Sequence, residues 1–284
     1  FDGKNNTIQI QIERNVKDSD PTEAKRAGLF NTIFGNGTQD AMTAGTGNKY
    51  TISNFTLLGS IEGKTNLIMA GGIAACINGA NVAVNAVTIG EGFNIQTGIA
   101  DFGGITAILT NNATVEIRDC KVSGTDTKKV ILEGNGFGGG FVGKVESAQP
   151  FNIIISSADT PAINYMELTN TYQNGGGMIG HISNGTTTVQ GPDGYSSDKP
   201  TVQNVKLVSY NSAGSIIGET GQNINISKIS VKELDITVRK DAGGIVGTIV
   251  PSGKYVLDSI ITDILVMNMK AKDLVFNNWR ERNG

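Results

Sequence analysis

Gly243-Gly244-Ile245-Val246-Gly247-Thr248-Ile249 decides the fold, because six relatives of it stand along the same chain. Gly139-Gly140-Phe141-Val142-Gly143-Lys144-Val145 and Gly176-Gly177-Met178-Ile179-Gly180-His181-Ile182 match it closely; Ala27-Gly28-Leu29-Phe30 opens the first copy. The second small residue falls at 28, 72, 104, 140, 177, 215 and 244. That is a period of about 36 residues, in the range of stacked repeat architectures.

A second signature follows each first one, with apolar residues at its first, fourth and sixth positions. It reads Ile52-Ser53-Asn54-Phe55-Thr56-Leu57, Val84-Asn85-Ala86-Val87-Thr88-Ile89 and Ile117-Arg118-Asp119-Cys120-Lys121-Val122. It continues at Ile163–Leu168, Val202–Leu207 and Ile226–Val231, and ends at Leu257-Asp258-Ser259-Ile260-Ile261-Thr262 with the sixth position lost. Both signatures are short and rich in Ile, Val and Thr, with Gly and Asn between them, which is strand-and-turn chemistry. No unit holds the run of 3.6-residue periodicity that a crossover helix needs. The expected fold is therefore all-β, a parallel β-helix of about seven to eight coils over residues 1–269. Residues 270–284 are expected to form a C-terminal cap or docking tail. Between the signatures, the first, fourth and fifth units carry about a dozen extra residues. These are expected as insertions around 34–50, 146–162 and 183–201.

Composition agrees with a thin, elongated core. The 284 residues include 38 glycines but only 6% aromatics, and a solenoid whose layers touch only their neighbours needs few large side chains. A net charge of −3 leaves no basic field for nucleic acid, and no apolar run is long enough to span a bilayer. The chain opens at Phe1-Asp2-Gly3 without an initiator Met or a signal peptide, so its N-terminus is read as cut, by processing or by excerpting from a longer chain.

Alternation assigns the faces of the first signature. The columns of Leu29, Ile73, Ile105, Phe141, Met178, Ile216 and Ile245, of the small Asn31, Ala75, Ala107, Gly143, Gly180, Gly218 and Gly247, and of Ile33 to Ile249 should point inward. The small column fits a corner where backbones crowd. The column of Thr32, Cys76, Ile108, Lys144, His181, Glu219 and Thr248 should point outward. So should Phe30, Ala74, Thr106, Val142, Ile179, Ile217 and Val246, which are too apolar for water and so need a cover, from the insertions or from another subunit. Phe30, Val142, Ile179, Ile217 and Val246, with Phe276 and Trp279 of the tail, make up the expected assembly surface. Cys120 falls inward and Cys76 outward, so no disulfide should join them.

Catalytic chemistry finds little footing. His181 is the only histidine and sits in a surface column, which leaves a Ser-His-Asp arrangement or a zinc site without partners. Gly134-Asn135-Gly136-Phe137-Gly138-Gly139-Gly140 leads into a strand, so it is a set of repeat turns rather than a phosphate loop. Asp18, Asp20 and Glu23 lie in one loop and Asp193 and Asp198 in another, neither recurring in adjacent coils, whereas Asp101, Glu116 and Asp119 lie in or beside neighbouring strands and could be near each other. Asp18-Ser19-Asp20 is a loose calcium candidate whose bland reading is solvated loop acids. Thr56 and Thr88 begin an ice-binding type of column that Lys121, Glu167 and Lys206 break. Sequons at Asn5, Asn36, Asn54, Asn112, Asn184 and Asn225 permit glycosylation without requiring it. No catalytic, cofactor or metal-ligating residue is assigned.

The opening Phe1-Asp2-Gly3-Lys4-Asn5-Asn6-Thr7-Ile8 resembles the start of exported microbial β-helix proteins. The Gly-Gly-Ile-Val-Gly signatures, with Ile117-Arg118-Asp119-Cys120, resemble the GLUG repeat. Ser215 in place of a glycine and the long insertions depart from that pattern. The resemblance covers Phe1 to about Met269 and implies a scaffold or adhesive role at a cell surface. The expected function is thus a non-catalytic extracellular structural or adhesive module, part of a larger surface assembly. Its partners would be cell-surface or matrix components such as glycans, or further copies joined head to tail or laterally. The alternative is a carbohydrate-active β-helix, a lyase or a tail-spike depolymerase. A groove of acids and bases across adjacent coils would favour it.

Overall fold

The computed structural model describes residues 1–15, 17, 19–21, 25–35, 49–98, 100–170, 172–250 and 259–273. All regular elements among them are strands, paired in parallel into one 13-stranded and two 7-stranded sheets. Parallel pairing between successive repeats, with no crossover helix, makes the molecule a β-solenoid. Seven rungs, six turns from first to last, are marked by the two smaller sheets. An eighth layer is opened by the tail strand Ile260–Asp273. No helix among the described residues is long and apolar enough to cross a membrane.

Each coil runs through the wide sheet, turns a corner into the glycine sheet, and returns through the signature sheet. The glycine sheet stacks Arg26–Ala27, Met69–Gly71, Asp101–Gly103, Gly138–Gly139, Gly175–Gly176, Ser212–Gly214 and Asp241–Gly243. The signature sheet stacks Phe30–Phe34, Ala74–Asn78, Thr106–Thr110, Val142–Val145, Ile179–Ile182, Ile217–Thr220 and Val246–Ile249. The anchors at 28 to 244 lie at the turn between these two sheets.

The wide sheet wraps two bends, and left-handed residues make them. At the first bend stand Asn54, Ala86, Asp119, Lys228 and Asp263, with φ between 50° and 60°. At the second stand Tyr165, Asn204, Glu233 and Asn268, with φ between 47° and 56°. One such residue resets the alternation of the strand, so the residue two before it and the residue just after it both point inward. This is the cause of the first, fourth and sixth apolar spacing.

Inward ladders then run the length of the stack. Leu57, Ile89, Val122, Ile163, Val202 and Val231 are in register and each is fully buried. Ile61, Ile95, Leu132, Leu168, Leu207 and Ile236 form a second such ladder. Burying each of these side chains contributes about 1.5–3 kcal/mol before chain entropy is charged against it.

Register corrects three expectations. Ile117 pairs with Ile153, which pairs with Val189, which pairs with Ile226. The signatures at 163–168 and 202–207 therefore lie on the second bend, not the first. The extra residues of those coils leave the wide sheet at 155–162 and 191–201, after the strands Phe151–Ile154 and Thr187–Gln190. In the last unit Ile226 and Ile229 pair with Ile261 and Ile264, so its signature is Ile261-Thr262-Asp263-Ile264-Leu265-Val266 and keeps its sixth position. The insertion expected at 34–50 falls mostly outside the described residues.

The faces of the signature sheet differ from those that alternation assigns. Val142, Ile179 and Ile217 are fully buried members of the core, and Phe30 and Val246, at the two ends of the stack, are half-buried against it. The chain turns a corner between the glycine and signature sheets, so Phe141 and Val142 both end up inside; alternation does not survive the corner. Their cover is the solenoid's own core. The small column does mark crowded backbone. A Cβ on Gly143 would sit 2.6 Å from the Phe102 carbonyl oxygen and 2.7 Å from those of Ala107 and Phe137. Cys76 and Cys120 are free and buried, and desolvation pushes their thiols up to about 11 and about 12. Cys76 is hidden although its column is the outward one.

Candidate functional site

Polar chemistry gathers in three places on the outside of the stack. The first is the corner that the outward signature column shares with the residues entering the glycine sheet. Here the Phe137 ring stacks on the His181 imidazole, centroids 4.5 Å apart at 18°, and the Lys144 ammonium lies 5.1 Å from the Phe137 centroid. His181 Nδ1 is 3.3 Å from Glu219 Oε1, close enough for an ion pair though off the line of a hydrogen bond. The His181 side chain, against the opposing effect of burial, holds the Glu219 carboxyl below the usual carboxylate range. Further along, Thr248 Oγ1 donates to Asp241 Oδ2 at 2.7 Å and contacts Ser212 Oγ at 2.9 Å.

Asp101 begins this corner. Burial raises its carboxyl above the usual range, opposed first by a hydrogen bond from the Phe137 amide, whose length is 2.7 Å. Its work is structural: it holds the backbone of the next coil. Glu116 pairs with Arg118 at 3.2 Å on the wide sheet, and Asp119 sits at the first bend accepting from the Ser156 amide at 2.7 Å. The three acids thus fall on three different strips of the coil, and the arrangement expected for a carboxylate group is not built from them.

The second place is a groove of about 260 Å³ at the second bend. Glu167, Lys206, Asp235 and Lys270 succeed one another in register there, with Lys129, Glu233, Asn204 and Asn268 beside them. Lys129 Nζ lies 2.7 Å from Glu167 Oε1 and Lys206 Nζ 3.6 Å from Glu167 Oε2. The hydrogen bond from Lys129, with Lys206 adding to it, holds the Glu167 carboxyl below the ordinary range. Asn268 donates to Glu233 at 2.6 Å, and Asp235 Oδ1 is buried without a partner. Three acids and three lysines therefore line one face across adjacent coils.

A shallower groove of about 380 Å³ lies over the first coils, lined by Glu62, Gly63, Gln96, Thr97 and Glu133. Between the grooves and the glycine sheet stands an exposed stack. Tyr172 lies on Tyr210, centroids 5.8 Å apart, and the Arg239 guanidinium lies 4.8 Å above the Tyr210 ring. Each of these three residues stands four before the first glycine of its signature, a spacing that is present in the sequence. Glu62, Gln96 and Glu133 share one column, which only the register of the strands reveals.

Of the expected assembly surface, Val142, Ile179 and Ile217 are in the core. Phe30 lies at the head, where the exposed Phe1 ring meets it edge-on at 6.1 Å. Val246 is half-buried in the last full rung, and Phe276 and Trp279 lie outside the described residues, as does Asp18 of the calcium candidate. Among the described residues no group of three or more His, Cys, Asp or Glu is placed to hold a metal ion. Comparison of the chain with protein-family models, with curated proteins and with solved structures returned no match.

Proposed function

We propose that this chain is a non-catalytic structural or adhesive solenoid module of an extracellular or cell-surface assembly. The observation that carries the reading is how the outer charges are used. Glu167 is held between Lys129 and Lys206, Asp193 is paired with Lys228, Glu91 with Lys128 and Asp159 with Lys199, each across a gap of some 35 to 40 residues in sequence, so from coil to coil. Charges of both signs interspersed along the axis solubilise a rod. They also keep Glu167 and Asp193 ionised, whereas a general acid needs its proton near neutral pH. The likeness of the glycine signatures to GLUG repeats, and of the first residues to exported β-helix proteins, supports the same reading.

The mixed groove at the second bend favours a second reading, a carbohydrate-active β-helix, because acids and lysines from adjacent coils face one channel. One experiment separates the two. The chain is incubated with a panel of immobilised polysaccharides and matrix glycoproteins. Retention without new reducing ends or unsaturated products is expected. Steady product release that Asp235→Asn or Glu167→Gln abolishes would replace the first reading with the second.

A further inference from the structure

We propose that the tail strand Ile260–Asp273 of one copy pairs in parallel with the head strand Asp2–Asn15 of a second copy, so that the solenoid continues across the joint. The inference rests on the structural-module reading and names its partner. Both strands are 14 residues long. Among the described residues the head strand pairs only with Lys49–Thr65 and the tail strand only with Ile224–Val238. Among those residues each leaves a second edge of backbone donors and acceptors, the element that strand addition uses.

Among the described residues nothing covers the apolar cross-section beyond either end strand. In the tail layer Ile261 is 40% and Val266 37% exposed, while their register partners Ile226 and Val231 are 1% and 0%. At the head, Ile8, Ile10 and Ile12 are only half-buried. The columns of the wide sheet say how the ends fit. Ile8 begins the ladder that ends at Val266, and Ile12 begins the one that ends at Ala271. Continuing the stack places Val266 over Ile8 and Ala271 over Ile12. The tail has one more residue than the head between these positions. The stack already absorbs that difference, since Leu57 to Ile61 and Val231 to Ile236 occupy the same two columns.

Charge gives the joint its direction. One outward column runs Glu13, Glu62, Gln96, Glu133, Thr169, Val208, Thr237, Lys272. It opens on two carboxylates one coil apart, about 4.8 Å, an unfavourable like-charge neighbour pair, and it closes on a lysine. The joint sets Lys272 directly over Glu13. At the first bend the left-handed Asp263 of the tail meets the left-handed Lys4 and Asn5 of the head, a match of backbone conformation. The complementary Lys272–Glu13 pair, in one register with both inward ladders matched, fits a second copy of this chain. Because the two surfaces differ, the contact is head to tail and extends into a filament instead of closing as a dimer.

The test is sedimentation velocity of the 284-residue chain over a concentration series at low salt, with negative-stain images of the same samples. A ladder of species and rods in multiples of one solenoid length are expected. Glu13→Lys and Lys272→Glu, both on exposed positions, should each weaken association about tenfold, and the double exchange should restore it. Circular dichroism melts check that the variants fold. A chain monomeric at every concentration, or association indifferent to both reversals, overturns the joint. A monomer still retained on glycans or matrix proteins would leave the module reading standing, so the two fail separately.

Discussion

Gly143 and Gly244 separate two uses of glycine that look alike in the sequence. The first faces carbonyl oxygens of its own and the neighbouring coil, none of which can move without breaking the ladder. A Cβ on Gly244 would meet chiefly two Val266 methyls, at 3.1 and 3.2 Å, which can yield. Gly143→Ala should cost about 2–3 kcal/mol and Gly244→Ala less than about 1, read as the order of their thermal midpoints; equal losses would deny the close packing of the glycine and signature sheets. Asp101 makes the other residue-scale test. Its carboxyl is raised by burial, so the folded chain binds a proton more readily than the unfolded one. That works against folding once the pH climbs above the unfolded value, about 3.9. Asp101→Asn keeps an acceptor for the Phe137 amide and loses the buried charge. It should raise the melting temperature at neutral pH, with the advantage shrinking as pH falls through the raised folded value and gone below the unfolded one. A melt series from neutral pH downward that shows the variant less stable throughout would mean that the hydrogen bond from the Phe137 amide to the carboxylate, with Lys144 adding to it, outweighs burial.

Elements were legible in the sequence where each carries a pattern of its own. The Gly-Gly signature has no double within a coil, so all seven of its copies are found where the sequence places them. The apolar spacing of the second signature is imposed by a left-handed residue, and such residues stand at both bends, in Ile224–Val238 and Ile260–Asp273 at both within one strand. In Ile224–Val238 the two copies overlap, Ile226 to Val231 and Val231 to Ile236. A reader of sequence takes whichever copy is tidier, and in the fourth and fifth coils that was the wrong bend. The outer sites needed the register as well, since Glu13, Glu62 and Glu133 share a column only once the strands are aligned. The bend residues suggest their own test. Ala86 is exposed with φ 50°, and a left-handed alanine costs roughly 1–2 kcal/mol, part of which glycine would return in unfolded-state entropy. Ala86→Gly should therefore stabilise the chain by about 0.5–1 kcal/mol. A chemical-denaturation midpoint that falls would show that the bend is held by something other than backbone preference.

At the scale of the molecule, a solenoid is a one-dimensional stack in which each coil is stabilised by two neighbours and an end coil by one. Burial follows that rule here. Phe93, Phe102, Phe141 and Phe151 in the middle coils are all but sealed, while the head holds half-buried Ile8, Leu29 and Phe30. The tail holds Ile264 and Met269 half-buried, with Ile249 and Ile261 exposed. Opening should therefore begin at both ends and reach the middle last, since local opening is easiest where few apolar contacts must be surrendered. Amide hydrogen exchange at low protein concentration should show slow amides in the coils between about residues 81 and 220 and faster ones in Asp2–Asn15 and Ile260–Asp273. Raising the concentration distinguishes a fraying monomer from a joined one. If the tail strand of one copy covers the head strand of the next, amides of these two segments slow together as the chains associate, while the middle coils keep their rates. Lys272→Glu should erase that gain at both ends at once, because the joint it weakens has one strand from each. Protection that rose with concentration only over Tyr172, Tyr210 and Arg239 would instead locate the contact on the side of the rod and make the assembly a lateral one.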